Sequence, residues 1–161
     1  MRITDVETVV VDFYRTNLVF VRVHTDEGLV GVAEATLEGQ EHAVLGAVRV
    51  AGEAVRGRDA SQISRIVYEL NRDGYWRGGP VTMTALSAIE TALWDLKARA
   101  LGVSVGELFG GRVRDRIRAY ANGWFSGSRT PEEFADAARA TVAQGFRGLK
   151  WDPFEAVDLL E

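Results

Sequence analysis

Residues 84–101, TALSAIETALWDLKARAL, carry the most regular periodicity in the chain. Apolar side chains recur along this stretch at spacings of 3, 4, 3 and 4, at Leu86, Ile89, Leu93, Leu96 and Ala100. The neighbouring shoulder holds three small residues, Ala85, Ala88 and Ala92. This pattern predicts one long helix that packs closely on two sides, with Gly102 as its C-terminal cap.

Upstream of this helix, residues 3–35 alternate apolar with polar side chains and predict three short strands in an antiparallel meander. The second strand has one wholly apolar face, formed by Val19, Val21 and Val23. A polar loop, Tyr14-Arg15-Thr16-Asn17, joins the first two strands. The turn Thr25-Asp26-Glu27-Gly28 leads into the third strand, because its glycine can adopt a positive φ.

Two more helices are predicted between the strands and residue 84. The first starts near Gly39, where the period of the apolar residues becomes helical. Asp59 and Gln62 have the spacing of a capping box, which predicts the start of the second helix. Its apolar stripe consists of Ile63, Ile66, Val67 and Leu70. Residues 71–80, NRDGYWRGGP, contain three glycines and a proline and are predicted to end it.

The character of the chain changes after Gly110-Gly111. Residues 116–121 and 146–151 are predicted strands, and Thr130-Pro131-Glu132-Glu133 predicts the start of a helix that runs to Gln144. Such a unit has parallel strands. We therefore predict an α+β domain over residues 1–112 and the start of a parallel α/β domain over residues 113–161. Because two strands cannot complete a parallel sheet, we expect the chain to be a fragment of a longer polypeptide.

The composition excludes several classes of protein. Of 161 residues, 47% are hydrophobic and 26% are charged, and the formal net charge is −4. The absence of cysteine excludes disulfides, zinc–thiolate sites and cysteine nucleophiles. The charge gives no basic footprint for nucleic acid, and no apolar stretch of about 18 residues is available to cross a membrane. We expect a soluble, cytoplasmic protein with neither nucleic acid nor a membrane as its partner.

Lys150 and Asp152 are the candidate catalytic residues. The chain has only two lysines, and Lys150 stands at the end of the last predicted strand, two residues before Asp152. This spacing points both side chains to the same face of a strand. In α/β barrels, catalytic groups lie at the carboxyl ends of the strands. The alternative interpretation is a surface lysine followed by an Asp-Pro turn.

Two loops hold candidate substrate-binding residues. Trp76 and Arg77 lie in a glycine-rich loop, where arginine can bind a carboxylate and aromatic rings can exclude water. Alternatively, these aromatic residues fill a gap between two helices. Arg15 and Asn17 lie in the first hairpin loop, where the alternative to a ligand contact is an ordinary solvated side chain.

Three motifs resemble the enolase superfamily, of the mandelate racemase/muconate lactonizing enzyme type. They are GLVGVAEATLEG at 28–39, YWRGGPVTMTALSAIETALWDLKARALGVSVGELFGG at 75–111 and RIRAYANGW at 116–124. The resemblance runs from about residue 2 to residue 154. It is closest to the acid-sugar dehydratases, namely the mannonate and galactonate dehydratases, because of the YWRGGPVTMTA stretch.

This resemblance implies an N-terminal α+β capping domain followed by a (β/α)₇β barrel, of which only the first strands lie in this chain. In the superfamily, two loops of the capping domain close over the substrate. The resemblance therefore implies substrate binding by Arg15 and Asn17 in the first loop, and Asn17 stands where mannonate dehydratases have a substrate-contacting asparagine. Trp76 and Arg77 belong to a motif that packs near the active site.

The resemblance also implies the chemistry. Members of the family abstract the proton α to a carboxylate, hold the enediolate with Mg²⁺ and, in the dehydratases, expel the β-hydroxyl. Many carry Lys-x-Lys at the end of the second barrel strand; Lys150 matches the first lysine, whereas Asp152 replaces the second. The metal ligands and the His-Asp base are implied beyond residue 161, so no metal ligand is expected within this chain. A homo-oligomer is also implied.

Two alternatives to a dehydratase stay open at this point. The first is a racemase or cycloisomerase of the same superfamily, which would use the same scaffold on a carboxylate substrate. The second belongs to another class, a non-catalytic binding or assembly module formed by the 161 residues alone.

Overall fold

The computed structural model describes residues 1–13 and 16–151 of the chain. These residues form two compact units, the first Met1–Arg112 and the second beginning at Val113. The first unit contains a three-stranded sheet and four helices, and the second contains one helix. Among the residues described, no helix combines the length and apolar character that crossing a bilayer requires.

The sheet is the predicted antiparallel meander. Its strands are β1 (Ile3–Val11), β2 (Leu18–Thr25) and β3 (Val30–Glu34), in the order β1-β2-β3. The predicted apolar face of β2 is confirmed, because Val19, Val21 and Val23 are all fully buried. Gly28 in the β2–β3 turn has φ 79°, the left-handed conformation that the turn requires.

The first unit has four helices, and the two longest of them pack on this sheet. The four helices are α1 (Glu41–Val55), α2 (Ile63–Asp73), α3 (Pro80–Leu101) and α4 (Val105–Leu108). The long predicted helix is α3, which starts at Pro80 in the favourable first position and ends at Gly102 with φ 68°. The core combines β2 with α1 and α3.

The predicted stripe of α3 is confirmed as far as Leu96, but Ala100 is exposed. A helix of 22 residues is about 33 Å long, whereas the five residues of β3, which packs on it, span about 17 Å. Gly31 of β3 approaches α3 at Ala92 and Leu96, and Ala100 lies about one turn beyond Leu96.

The predicted capping box at Asp59 and Gln62 is wrong. Helix α2 starts at Ile63, and the side chain of its N-cap residue, Gln62, makes no capping hydrogen bond. The Asp59 carboxylate instead accepts a hydrogen bond from the backbone N–H of Ser61 at 2.9 Å, within the preceding turn. The apolar stripe is confirmed, since Ile63 and Ile66 are buried and two further members pack against the core, Val67 and Leu70.

The second unit contains α5 (Pro131–Ala143), whose predicted start is confirmed by a capping box between Thr130 and Glu133. The two predicted strands beside it are not regular strands. Only a single parallel bridge joins Ala121 to Leu149, flanked by backbone hydrogen bonds from Ala121 to Gly148 and from Lys150 to Ala121. The predicted parallel direction is confirmed. A pair of strands without neighbouring strands is marginal, which explains the limited pairing.

Trp94 on α3 yields a stability prediction. Its ring is partly buried against the core and packs on Phe109 at a tilt of 54°, with 4.8 Å between centroids. The Lys97 ammonium lies 5.3 Å from the centre of the Trp94 ring. We expect Trp94→Ala to lower the free energy of unfolding by about 3 kcal/mol, because it removes this packing. Urea denaturation of the variant beside Trp94→Phe would measure the loss, and unchanged stability of the alanine variant would contradict it.

Candidate functional site

Asn17 lies in the first hairpin loop, immediately before β2, and is exposed. The neighbouring Thr16 hydroxyl donates a hydrogen bond to Oε1 of Glu41, at the first residue of α1. The backbone N–H of Gly39 donates to the same oxygen at 3.2 Å. Arg15, the other candidate in this loop, lies outside the described residues. The segment Thr16-Asn17 is therefore attached to the N-terminus of α1 by the Glu41 carboxylate.

Several hydrogen bonds favour the charged form of this carboxylate. The Thr16 hydroxyl, the backbone N–H of Glu41 itself and the N–H groups of Gly39 and Asn17 hold the pKa of the Glu41 carboxyl below its ordinary value. The N-terminal end of a helix also favours a negative charge. The side chain of Gln40, the N-cap residue, makes no capping bond, so Glu41 serves both the helix and the loop.

The lowered pKa of Glu41 predicts a pH dependence. An ordinary glutamate in the unfolded chain has a pKa of about 4.3. The stabilising effect of Glu41 is therefore complete above that pH and is lost as the pH falls through the lower pKa of the folded state. We expect Glu41→Gln to lower the melting temperature at pH 7. The difference in melting temperature between this variant and the wild type should narrow at about pH 3. Thermal melts of both proteins would test it, and a difference independent of pH would contradict it.

Trp76 and Arg77 lie in the loop between α2 and α3. The indole of Trp76 is 85% exposed and meets the ring of Tyr75 edge-on at 5.3 Å. The Arg77 Nε–H donates a long hydrogen bond of 3.4 Å to the carbonyl of Gly74. Within residues 1–13 and 16–151, no hydrogen bond or ring contact joins this loop to Asn17. The alternative, that these aromatic residues fill a gap between helices, is wrong for Tyr75 and Trp76, because both are exposed.

A cavity of about 590 Å³ lies beside this loop, between α1, α2 and α3. Trp76 lines its edge, and the walls consist mainly of small apolar residues, among them Ala47, Ala51 and Ala85. The ion pair between Arg58 and Glu69 lines another part of it. Hydrogen bonds from Arg65 and Arg58 hold the pKa of the Glu69 carboxyl below its ordinary value, so this carboxylate stays charged.

Lys150 lies in the second unit, and its backbone is held on both sides. Its N–H donates to the carbonyl of Ala121 at 2.8 Å, and its carbonyl accepts a hydrogen bond from the Trp124 indole at 2.7 Å. Trp124 meets Trp151 edge-on at 5.9 Å, and Trp151 packs on Phe134 at 5.3 Å. Lys150 is exposed beside this aromatic cluster. Asp152, its predicted partner, lies outside the described residues.

The described part of the chain holds no cluster of three or more histidine, cysteine or acidic side chains that could bind a metal ion. A magnesium ion in proteins takes oxygen ligands in octahedral geometry, usually from one or two carboxylates together with water and substrate. Residues 1–13 and 16–151 therefore supply no ready-made cluster of ligands to which such an ion could be assigned.

Two contributions to these sites were missed by the sequence interpretation. The contact between Thr16 and Glu41 joins residues 25 positions apart, and no local pattern reveals such a contact. The hydrogen bond from the Trp124 indole to the carbonyl of Lys150 joins residues 26 positions apart. A signal for Trp124 was available, because it follows Asn122-Gly123 at the end of a predicted strand, where functional side chains gather.

Together, the meander and the helices packed on it define an α+β domain. Residues 3–110 match the family model for the N-terminal domain of mandelate racemase / muconate lactonizing enzyme. The chain belongs to this family, within the enolase superfamily.

Two curated relatives are dehydratases. The chain is 46% identical over 137 residues to the D-gluconate dehydratase of Thermoproteus tenax, with 84% of this chain and 28% of the relative covered. It is 40% identical over 142 residues to the D-galactonate dehydratase of Verminephrobacter eiseniae, with 88% and 36% covered. The chain thus spans about a third of the length of these relatives.

Two solved structures are similar in fold. An enolase from Pantoea ananatis, crystallised with D-gluconate and magnesium, superposes with a TM-score of 0.83 at 36% identity, covering 92% of this chain and 35% of the other. A member of the enolase superfamily from Salmonella Typhimurium superposes with a TM-score of 0.86 at 32% identity, covering 94% and 42%.

Proposed function

We propose that the full-length protein is a hydro-lyase that dehydrates a sugar acid of the gluconate, galactonate or mannonate type. The observation that carries this proposal is the 46% identity to a D-gluconate dehydratase, which extends over 84% of this chain. The exposed loops of the capping domain support it. Asn17 and Arg77 offer amide and guanidinium groups, which suit the hydroxyl and carboxylate oxygens of a sugar acid.

The proposed reaction removes one water molecule. A base takes the proton from the carbon next to the carboxylate, and the electron pair is delocalised into the carboxylate as an enediolate. The hydroxyl on the next carbon then leaves with a proton as water. The resulting enol becomes a ketone, which gives a 2-keto-3-deoxy sugar acid.

In this proposal, the candidate site residues bind the substrate or act on its charge. Asn17, Arg77 and Arg15 bind oxygens of the substrate, and Trp76 shields it from water. The Lys150 ammonium favours the negative charge that develops on the substrate. Asp152 either accepts a structural hydrogen bond or takes part in proton transfer.

We further propose Mg²⁺ as the cofactor, with its ligands and the catalytic base beyond residue 161. A divalent ion supplies stabilisation of negative charge on the carboxylate oxygens. The proposed organisation is a capping domain over residues 1–112, with residues 113–161 as the start of a (β/α)₇β barrel. A homo-oligomer is also proposed, and size-exclusion chromatography with light scattering would measure it.

The test is an activity assay of the full-length protein against a library of sugar acids. We expect formation of 2-keto-3-deoxy products from at least one acid, with loss of activity after EDTA treatment and recovery on addition of Mg²⁺. A product of inverted configuration without loss of water would favour a racemase. Failure to convert any carboxylate substrate, with binding retained, would favour a non-catalytic module.

A further inference from the structure

We propose that Glu41 is a positioning residue for substrate binding, because it fixes the segment Thr16-Asn17 against the start of α1. The inference rests on the proposed function, in which Asn17 binds the sugar acid. Glu41 itself would not touch the substrate. Its role is to hold the loop in the conformation that presents Asn17.

The geometry assigns this role through shared hydrogen bonds. Oε1 of Glu41 accepts hydrogen bonds from the Thr16 hydroxyl and from the backbone N–H of Gly39. The bonds tie together two segments that are far apart in the chain, the β1–β2 loop and the turn before α1. Hydrogen bonds to a charged acceptor are shorter and stronger than those between neutral groups, so this carboxylate is a firm anchor.

The position of Asn17 next to Thr16 explains how the contact with Glu41 can affect substrate binding. Asn17 lies between Thr16, which Glu41 holds, and Leu18, the first residue of β2, which pairs with Val11. Its backbone is thus attached on both sides while its side chain is exposed. A backbone that is already fixed loses little further conformational entropy when the side chain that it carries binds a ligand, which strengthens binding.

The competing explanation is that Glu41 only caps its own helix. Glu41 occupies the first turn of α1, and its carboxylate also receives its own backbone N–H. A capping role requires no contact with Thr16. Replacing Thr16 therefore separates the two explanations, because that change leaves the carboxylate and the helix intact.

The experiment measures KM and kcat for the preferred sugar acid in the full-length, magnesium-loaded protein. Glu41→Gln and Thr16→Val should each raise KM about tenfold and leave kcat within about a factor of two, since binding is lost rather than chemistry. The two changes together should raise KM no more than Glu41→Gln alone, because the bond that Thr16→Val removes is one of those that Glu41→Gln weakens. Thr16→Ser keeps the hydroxyl and should restore the wild-type KM.

Glu53→Gln is the matched control. Glu53 is an exposed carboxylate on the same helix, paired with Arg49 at 2.9 Å rather than with the loop. Its replacement should leave KM unchanged. A rise of KM in Glu41→Gln but not in Thr16→Val would overturn the proposal in favour of a helix cap. An unchanged KM in both variants, or losses that add in the double variant, would also overturn it.

A second readout does not depend on activity. Amide hydrogen exchange at Asn17 and Leu18 should be faster in Glu41→Gln and Thr16→Val than in the wild type or Glu53→Gln, because the loop is released. A wild type that converts no sugar acid would overturn the proposed function, and with it the link to substrate. Faster exchange in the two variants would then still support the anchor, whereas unchanged exchange would remove it.

Discussion

Replacing Lys150 with methionine in the full-length enzyme is expected to lower kcat/KM by about a hundredfold while the fold survives. Methionine keeps most of the aliphatic stem and removes the ammonium group with its charge. The backbone bonds of Lys150 to Ala121 and Trp124 do not involve the side chain that is replaced. A fixed positive charge is most effective where negative charge develops in the transition state, so its loss should appear in the rate.

Arg147→Met provides the matched control for Lys150. Arg147 is an exposed cation three residues earlier in the same segment, where it lines a small pocket with Arg118. This variant should retain activity within about a factor of two, in contrast to Lys150→Met. A Lys150→Met enzyme that also stays within that range, with an unchanged circular dichroism spectrum, would remove Lys150 from the catalytic residues.

Asp152→Asn completes this comparison. A loss as large as that of Lys150→Met would place Asp152 in proton transfer, because an amide cannot act as the base. A much smaller loss would favour a structural hydrogen bond within the Asp-Pro turn that the sequence indicates.

Gly31→Ala is expected to destabilise the capping domain by about 3 kcal/mol or more. A Cβ atom at this position would lie 2.0 Å from the carbonyl oxygen of Ala92 and 2.9 Å from Cβ of Leu96. Both are parts of α3, so strand β3 would have to move away from the helix. That movement would also strain the hydrogen bond of 2.9 Å from the backbone N–H of Val32 to the Asp95 carboxylate.

Gly46→Ala is the control for this prediction. Gly46 lies in the middle of α1, and a Cβ atom there meets nothing within 4 Å. Alanine is a better helix former than glycine by about 1 kcal/mol, so this variant should be more stable than the wild type. Urea denaturation followed by circular dichroism would compare the two. Equal stabilities for Gly31→Ala and the wild type would contradict the close approach of β3 to α3.

The sequence predicted those parts of the fold that depend on neighbouring residues. The repeat along α3 shows which side chains are buried as far as Leu96, because the geometry of a helix places residues three and four positions apart on one face. The capping box of Thr130 and Glu133 is equally local, and the structure contains both of its hydrogen bonds. The motifs of these segments also sufficed to indicate the family.

Contacts between distant residues were decided only by the tertiary structure. Asp59 and Gln62 have the spacing of a capping box. The carboxylate of Asp59 instead binds Ser61, in a turn whose backbone is hydrogen-bonded to Met1 and Ile3. The hydrogen bond from Thr16 to Glu41 likewise exists only because the sheet brings Thr16 close to the first residue of α1. Residue type shows that a carboxylate can accept hydrogen bonds, but the donors that reach it depend on how separate elements pack, because hydrogen bonds form only over short distances.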